Sequence, residues 1–525
     1  MHMHTAPIHI AYIIGLLRNS GIKVYYADYL DTPFYIFENS MKHYIIEILE
    51  DLSKKGIQLL PTELEGITER CILDIIIGAT DFMRIAETYN LVNRAMVEQI
   101  SNILITLLNS MIRKANISSA DAVIIIPPSI NTECTLSLIG LIREYEPDIP
   151  IIVMDYYNYD PSTPYLGVAI TQRDFHGNAV GSIISQDPEY AFLTRFIRTN
   201  IDIIVYGEGY DFLQHLSEKG VERKKEVEIF YSRNIKLSKD HLILPDFSDM
   251  VHLYEGVQIE LSRGCPYRCM FCERSVFMGS YRYYDLEFFR EVIQHIMKYK
   301  KWKMIQITDT QINFNEEISE KYLKILKEEN IPPAFAQIRV KKTTQRFFKL
   351  MKEANIEEVG IGMESGSENV LKSMRKYYPP DLLRELNEQL VEQEIATTYY
   401  VIIAYPTSKI EDEIKTIKLI EELSKINENI LVIGSLYLPG YVQSLSIPLY
   451  ERFGLEIIPI ERILNDTVSY AITHPFITFS LVMHKGMRRR EIESVLIEYH
   501  RTFRNIGIEH YIPPTLDQMV EKQID

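Results

Sequence analysis

The chain has 525 residues, a formal charge of −16, 46% hydrophobic and 24% charged residues. That length is more than one ordinary core needs, and the composition suits a globular protein of two or three domains. The acidic balance argues against an extended nucleic-acid surface, which needs a basic field to neutralise phosphates.

At the start, no basic segment precedes the first apolar stretch, and Arg18 and Asn19 interrupt it well short of the ~20 residues of a membrane span. Neither a signal peptide nor a span is expected. Ile10 to Ser20 reads as a helix, Gly21-Ile22 as a turn and Lys23 to Tyr29 as a strand. A mostly helical stretch from Met41 to Ile117 follows, broken near Pro61. Next come a strand in DAVIIIPPS (Asp121 to Ser129), a helix Thr132 to Glu144 and a strand Ile149 to Tyr156. A further strand, Ile201 to Gly207, leads through Gly207-Glu208-Gly209 into a helix Tyr210 to Lys219. Apolar strands without alternation, joined by a helix, predict a parallel sheet covered on both faces. Ligands of such sheets bind beyond the carboxyl ends of the strands. The long loop containing His176 is expected to fold over those ends, with a loop hydrogen bond as the ordinary role of that imidazole.

Residues 1–220 therefore read as a doubly wound, Rossmann-like α/β domain, and the charged, strand-poor stretch 221–250 as a linker. In residues 251–460 a strand–helix rhythm repeats six times. The strands are Val257–Leu261, Lys303–Thr308, Ala334–Val340, Glu358–Met363, Thr397–Ala404 and Ile430–Leu438, which predicts a partial (β/α)6 barrel. Residues 461–525 read as a small, mostly helical region. The basic run Lys485 to Arg490 within it reads as a solvated helix start.

Three of the five cysteines, Cys265, Cys269 and Cys272, lie directly after the first barrel strand with spacing C-x3-C-x2-C. Zinc sites usually add a second cysteine pair, and none is present, so iron–sulfur ligation is favoured over a three-cysteine zinc site or plain packing. A four-iron cubane held by three thiolates leaves one iron open to a ligand that is not protein. Gly264 and Pro266 shape the turn. Phe271 either lies against a flat ligand ring or caps the cluster. Cys71 and Cys134, isolated from the trio, read as core thiols. A thiolate trio without a disulfide pattern fits a reducing cytoplasm.

C-x3-C-x2-C with an aromatic before the last cysteine, after the first strand of a partial barrel, resembles the radical S-adenosylmethionine (SAM) superfamily. GIGMESGSE (Gly360 to Glu368) resembles its glycine-rich stretch, QITDTQIN (Gln306 to Asn313) an acidic segment of one subgroup, and SIPLYERF (Ser446 to Phe453) a late stretch bordering the substrate side. The resemblance implies a [4Fe-4S] cluster on the three cysteines, with SAM chelated to its open iron and cleaved reductively to a 5′-deoxyadenosyl radical. It makes Phe271, Gly360, Gly362, Glu364 and Ser365 candidate SAM contacts. Asp309 and Asn313 become ligand-shell residues or helix caps, and Arg339 a SAM or substrate contact or a salt bridge. Tyr405 follows the fifth strand, where the family has a Gly-x-Pro turn and this chain has Ala404-Tyr405-Pro406.

The first half resembles the cobalamin-binding domain that precedes the barrel in one radical SAM subgroup. The matching segments are APIHIAYIIGLLRNSGIKVYYAD, DAVIIIPPS and IDIIVYGEGYDFLQHL, so the likeness spans residues 6 to 460. Cobalamin would then lie at Pro127, Pro128, Ser129, Gly207, Glu208 and Gly209, unless the domain only supports the barrel. Two departures stand out: almost no strand precedes Pro7, and Tyr210 replaces the second acid of a Gly-Glu-Gly-Glu pattern. No Asp-x-His-x-x-Gly is present to coordinate cobalt from below. The subgroup's chemistry is methyl transfer to unactivated carbon or phosphorus; the expectation for this chain is an unactivated carbon of a small molecule, lipid or peptide, with a flavodoxin or ferredoxin as electron donor. Cyclisation, rearrangement or oxidation on the same architecture is the alternative.

Overall fold

The computed structural model describes residues 5–28, 94–126, 132–155, 195–272, 280–436, 455–459, 469–474, 477–483, 487 and 489–512. Two parallel sheets organise them. The first joins β2 (Val123–Ile125), β3 (Ile151–Asp155), β4 (Ile203–Tyr206) and β5 (Glu228–Tyr231) in chain order, every pair parallel. Successive strand residues point to opposite faces, and here both faces are apolar. Ile151 and Val153 pack with Leu136, Ile139 and Ile142 of the helix Thr132–Tyr145. Ile152, Met154, Ile203 and Val205 pack with Ile13 and Leu17 of the helix Ile8–Asn19 and with Phe212 and Leu213 of the helix Tyr210–Lys219.

The expected linker therefore contributes a strand, since β5 lies within 221–250. It is a short edge strand with exposed end residues, and its apolar run is correspondingly brief. The described part of the expected strand Lys23–Tyr29 forms no ladder. Local contacts replace it: Lys23 lies over the Tyr25 ring, and the Val24 carbonyl accepts from Arg18 Nη2 at 3.4 Å.

The second sheet runs, in order across it and parallel throughout, β1 (Thr5–Ala6), β6 (Gly256–Ile259), β9 (Met304–Ile307), β10 (Ala334–Ile338), β11 (Ile356–Glu364), β12 (Ala396–Ile403), β13 (Ile430–Leu436) and β17 (Glu509–Tyr511). Six of its strands, β6 and β9 to β13, are the expected barrel strands. The intervening helices start at side-chain caps the sequence supplies. Asp285 accepts from the backbone N–H groups of Glu287 and Phe288, Asn315 from that of Ile318, and Thr344 from that of Phe347. Their apolar faces, such as Phe288, Phe289, Val292, Ile293 and Ile296, cover the sheet.

Both edges of this sheet come from distant chain. β1 (Thr5–Ala6) pairs with β6, so the short strand before Pro7 exists but joins the second sheet rather than the first. Thr5 Oγ1 donates to Gln306 Oε1 at 2.7 Å. At the other edge, β17 (Glu509–Tyr511) pairs with β13. The C-terminal region, expected to be mostly helical, also holds strands among its described residues. Beside the helix Arg489–Ile506 it holds β17, and β14 (Leu455–Pro459), β15 (Ser469–His474) and β16 (Ile477–Met483) form an antiparallel sheet of order β14-β16-β15. No helix among the described residues is long and apolar enough to cross a membrane.

Candidate functional site

Just past β6 the chain forms a small antiparallel hairpin, with Ser262 and Arg263 of β7 (Ser262–Arg263) opposite Tyr283 and Arg282 of β8 (Arg282–Tyr283). The segment between these arms carries all three cysteines; residues 273–279 lie outside the described ones. Gly264 opens it at φ +93°, and a Cβ there would sit 2.5 Å from the Ser280 carbonyl oxygen, so only glycine lets the outgoing and returning strands approach this closely. The loop turns between its last two cysteines, where the Cys272 N–H donates to the Cys269 carbonyl at 3.2 Å. It is tied to the barrel by the Met270 N–H, which donates to the Met374 carbonyl at 2.9 Å.

None of the three thiols is in a disulfide; Cys269 is buried, and Cys265 and Cys272 are half-buried. They share one turn, but among the described residues no three His, Cys, Asp or Glu side chains are drawn into a metal-holding group. Arg339, just past β10, brings Nη1 to 3.5 Å from Cys269 Sγ and lays its guanidinium 3.8 Å from the centre of the Tyr267 ring. A cation there complements the negative charge of a metal-binding thiolate. Three soft sulfur donors with an adjacent cation suit an iron–sulfur cluster in donor chemistry.

The segment after β9 braces this loop. Asp309, 3% exposed, accepts from the Leu261 N–H at 2.7 Å and from the Ser262 hydroxyl. Burial pushes its carboxyl up to about 7, against the pull of those two donors. Thr310 Oγ1 donates to the Gly264 carbonyl at 3.2 Å. Asn313 is fully buried and reciprocally paired with the Arg339 backbone: its Oδ1 accepts from the Arg339 N–H and its Nδ2 donates to the Arg339 carbonyl, both at 2.9 Å. Asn313 thus positions Arg339, while Asn315 caps the following helix.

The glycine-rich stretch ends β11. A Cβ on Gly360 would meet the Phe335 and Tyr400 rings at 2.8 Å, and one on Gly362 would meet Lys376 Nζ at 2.3 Å. The space at these glycines is thus already taken by side chains. Glu364 stands at a register shift with φ +62°, and its Oε1 accepts from Lys376 Nζ at 2.6 Å, both side chains being 9% exposed. Lys376 Nζ also lies 5.7 Å from the centre of the Phe271 ring, which brings Phe271 beside this pair. Sequence reasoning missed Lys376, since only the fold returns the chain to Glu364 after the short helix Glu368–Ser373. Ser365 builds the turn: its hydroxyl accepts from the Ser367 N–H at 3.1 Å and lies 3.3 Å from Thr416 Oγ1. Tyr405 is buried after Ala404, which holds φ +58°. Glu413 secures that turn, accepting from the Ala404 N–H at 3.0 Å and from Ser408 Oγ at 2.5 Å.

In the first sheet, Pro127, Pro128 and Ser129 lie outside the described residues, as do His176 and the stretch 446–453. Gly207 and Gly209 take φ of +94° and +76° around Glu208. The Glu208 carboxylate points to the cysteine hairpin, 2.6 Å from Arg282 Nη2 and 3.7 Å from Arg263 Nη1. Tyr210 has a use that an acid at this position would not serve in the same way: its ring centre lies 5.4 Å from the Arg263 guanidinium and its hydroxyl accepts from Nη2 at 3.2 Å.

Residues 259–420 match the family model described as the Radical SAM superfamily. An uncharacterized methyltransferase of Pyrococcus horikoshii is 24% identical over 309 residues, 54% of this chain and 66% of that protein. The chain thus spans just under two thirds of that relative. The radical SAM methyltransferase TsrM from Kitasatospora setae, in complex with tryptophan and a SAM analogue, superposes with TM-score 0.52 at 12% identity, covering 80% of this chain and 90% of TsrM. The cobalamin-dependent SAM radical enzyme OxsB, with aqua-cobalamin and SAM, superposes with TM-score 0.52 at 14% identity, covering 76% and 60%. At these identities the likeness is one of fold.

Proposed function

The chain belongs to the radical SAM superfamily, and we propose that it is a cobalamin-dependent methyltransferase acting on an unactivated carbon of a small molecule, lipid or peptide. The observation that carries the reading is the set of three cysteines, none in a disulfide, on one hairpin loop at the strand ends, with the Arg339 guanidinium against Cys269. On this reading Cys265, Cys269 and Cys272 hold a [4Fe-4S] cluster, and SAM sits among Arg339, the Glu364–Lys376 pair and Phe271. When bound, the cluster would supply the electron that cleaves SAM and the corrinoid the methyl group.

The protein's own part is to orient and to exclude water. Arg339, fixed through Asn313, offers a cation that a ligand carboxylate can meet. Asp309 holds the base of the cysteine loop through Leu261 and Ser262. On this reading cobalamin would lie beyond the carboxyl end of β4, at the turn Gly207 to Gly209.

The test is anaerobic incubation of the reconstituted chain with methyl-deuterated SAM, with and without cobalamin. Deuterated methyl in product, dependent on cobalamin, supports the reading. Deoxyadenosine with no methyl transfer under either condition would overturn methyl transfer and leave the cyclising, rearranging or oxidising alternative.

A further inference from the structure

Arg263 and Arg282 face each other as direct partners across the cysteine hairpin. Like charges directly opposite on an antiparallel pair repel. Both are inside the protein, with side chains 1% and 16% exposed. Among the described residues two carboxylates balance them, and they come from different places. Glu260 is local and accepts from Arg263 Nε at 2.8 Å. Glu208 belongs to the first sheet, in the turn after β4, and reaches Arg282 at 2.6 Å and Arg263 at 3.7 Å. It also accepts from the Ile235 N–H at 3.2 Å, so its position is fixed. Tyr12, Tyr210 and Tyr284 surround the Arg263 guanidinium, with ring centres 5.4 to 5.8 Å away. Tyr12 and Tyr210 lie on two helices that cover the first sheet, so this cage too is built partly from outside the barrel.

We propose that Glu208 is a positioning residue for the metal-binding loop: one carboxylate from the first sheet grips both arms of the hairpin that carries Cys265, Cys269 and Cys272. The latch sets the loop's resting conformation before any cofactor binds, and it joins the carboxyl edge of the first sheet mechanically to the cysteines. Among the described residues, removing the carboxylate leaves Glu260 as the remaining counter-charge beside two opposed arginines, and the arms separate. Neutralising Arg282 as well removes the repulsion and lets them close again. Only its consequence for cluster binding rests on reading the cysteines as ligands.

The experiment is anaerobic iodoacetamide alkylation of the metal-free full-length chain, with each cysteine followed by peptide mass spectrometry. Glu208→Gln should raise alkylation of the loop cysteines about tenfold, as expected when a local opening becomes cheaper. The double variant Glu208→Gln/Arg282→Gln should return most of the way to the wild-type rate, a recovery that simple loss of packing would not give. Should Glu208→Gln not fold, Glu208→Asp, which keeps the charge and shortens its reach, carries the same comparison. Unchanged rates in the single variant, or a double variant faster than the single, would overturn the latch. Iron content after reconstitution is read separately: a wild-type chain that takes up no iron contradicts the cluster reading, while the alkylation result still decides the latch.

Discussion

At the scale of single residues, the site is built from groups whose charge is unusual for their burial. Asp309 shows this best. Burial lifts its carboxyl from an ordinary value of 3.8 to about 7. Between those values the folded chain keeps a proton that the unfolded chain has released. Stability contributed by this group therefore falls as pH rises through that window and is level above it. Asp309→Asn should remove that slope, so the difference between the urea midpoints of variant and wild type should change between pH 4.5 and pH 7.5; a constant difference would contradict the protonated carboxyl. Lys376 and Glu364 form a buried pair, and breaking one side leaves a charge without its counterion. Lys376→Met should cost about 3 kcal/mol in urea unfolding, and Glu364→Gln in the same chain should recover much of it. Neither effect was legible in the sequence. The segments GIGMESGSE and QITDTQIN drew attention to these residues, but not to the fact that Gly362 makes room for Lys376 or that Asn313 is spent on the Arg339 backbone.

At the scale of elements, the six barrel strands and their helices were legible because each carries a strong period and, for several helices, a capping Asp, Asn or Thr. Three of the elements that escaped are short and lie at sheet edges. β1, β5 and β17 have two to four residues and take their identity from the strand beside them, which no local pattern encodes. The hairpin β7–β8 escaped for the same reason, although Gly264 was recognised as a turn-former. That glycine supports a firm expectation. Gly264→Ala places a methyl group on the Ser280 carbonyl at φ +93°, so the hairpin should open at a cost of about 2 kcal/mol or more. Hydrogen exchange of residues 262–284 reads this directly; exchange unchanged from wild type would show that the hairpin is held in some other way.

At the scale of the molecule, the sequence reading separates two domains by a linker, and the structure joins them more closely. One continuous apolar core holds Ile125, Ile151 and Val153 of the first sheet together with Val257, Ile305 and Ile361 of the second. Arg18 adds a polar tie, donating to Asp246 at 2.7 Å and Asp249 at 2.6 Å. The first strand of the chain sits in the second sheet. Thermal unfolding of the metal-free chain should therefore show one transition for both sheets, and two well-separated calorimetric peaks would contradict the shared core. The same closeness places the turn after β4 against the cysteine hairpin.

The central claim is that Cys265, Cys269 and Cys272 hold a redox cluster that cleaves SAM. The most direct measurement is anaerobic reconstitution with iron and sulfide, followed by iron counting and detection of 5′-deoxyadenosine from SAM under reduction. The account predicts about four irons per chain and deoxyadenosine formation, both lost when the three cysteines are replaced by alanine. Iron uptake that persists in the alanine variant, or a fully loaded chain that forms no deoxyadenosine, would contradict it.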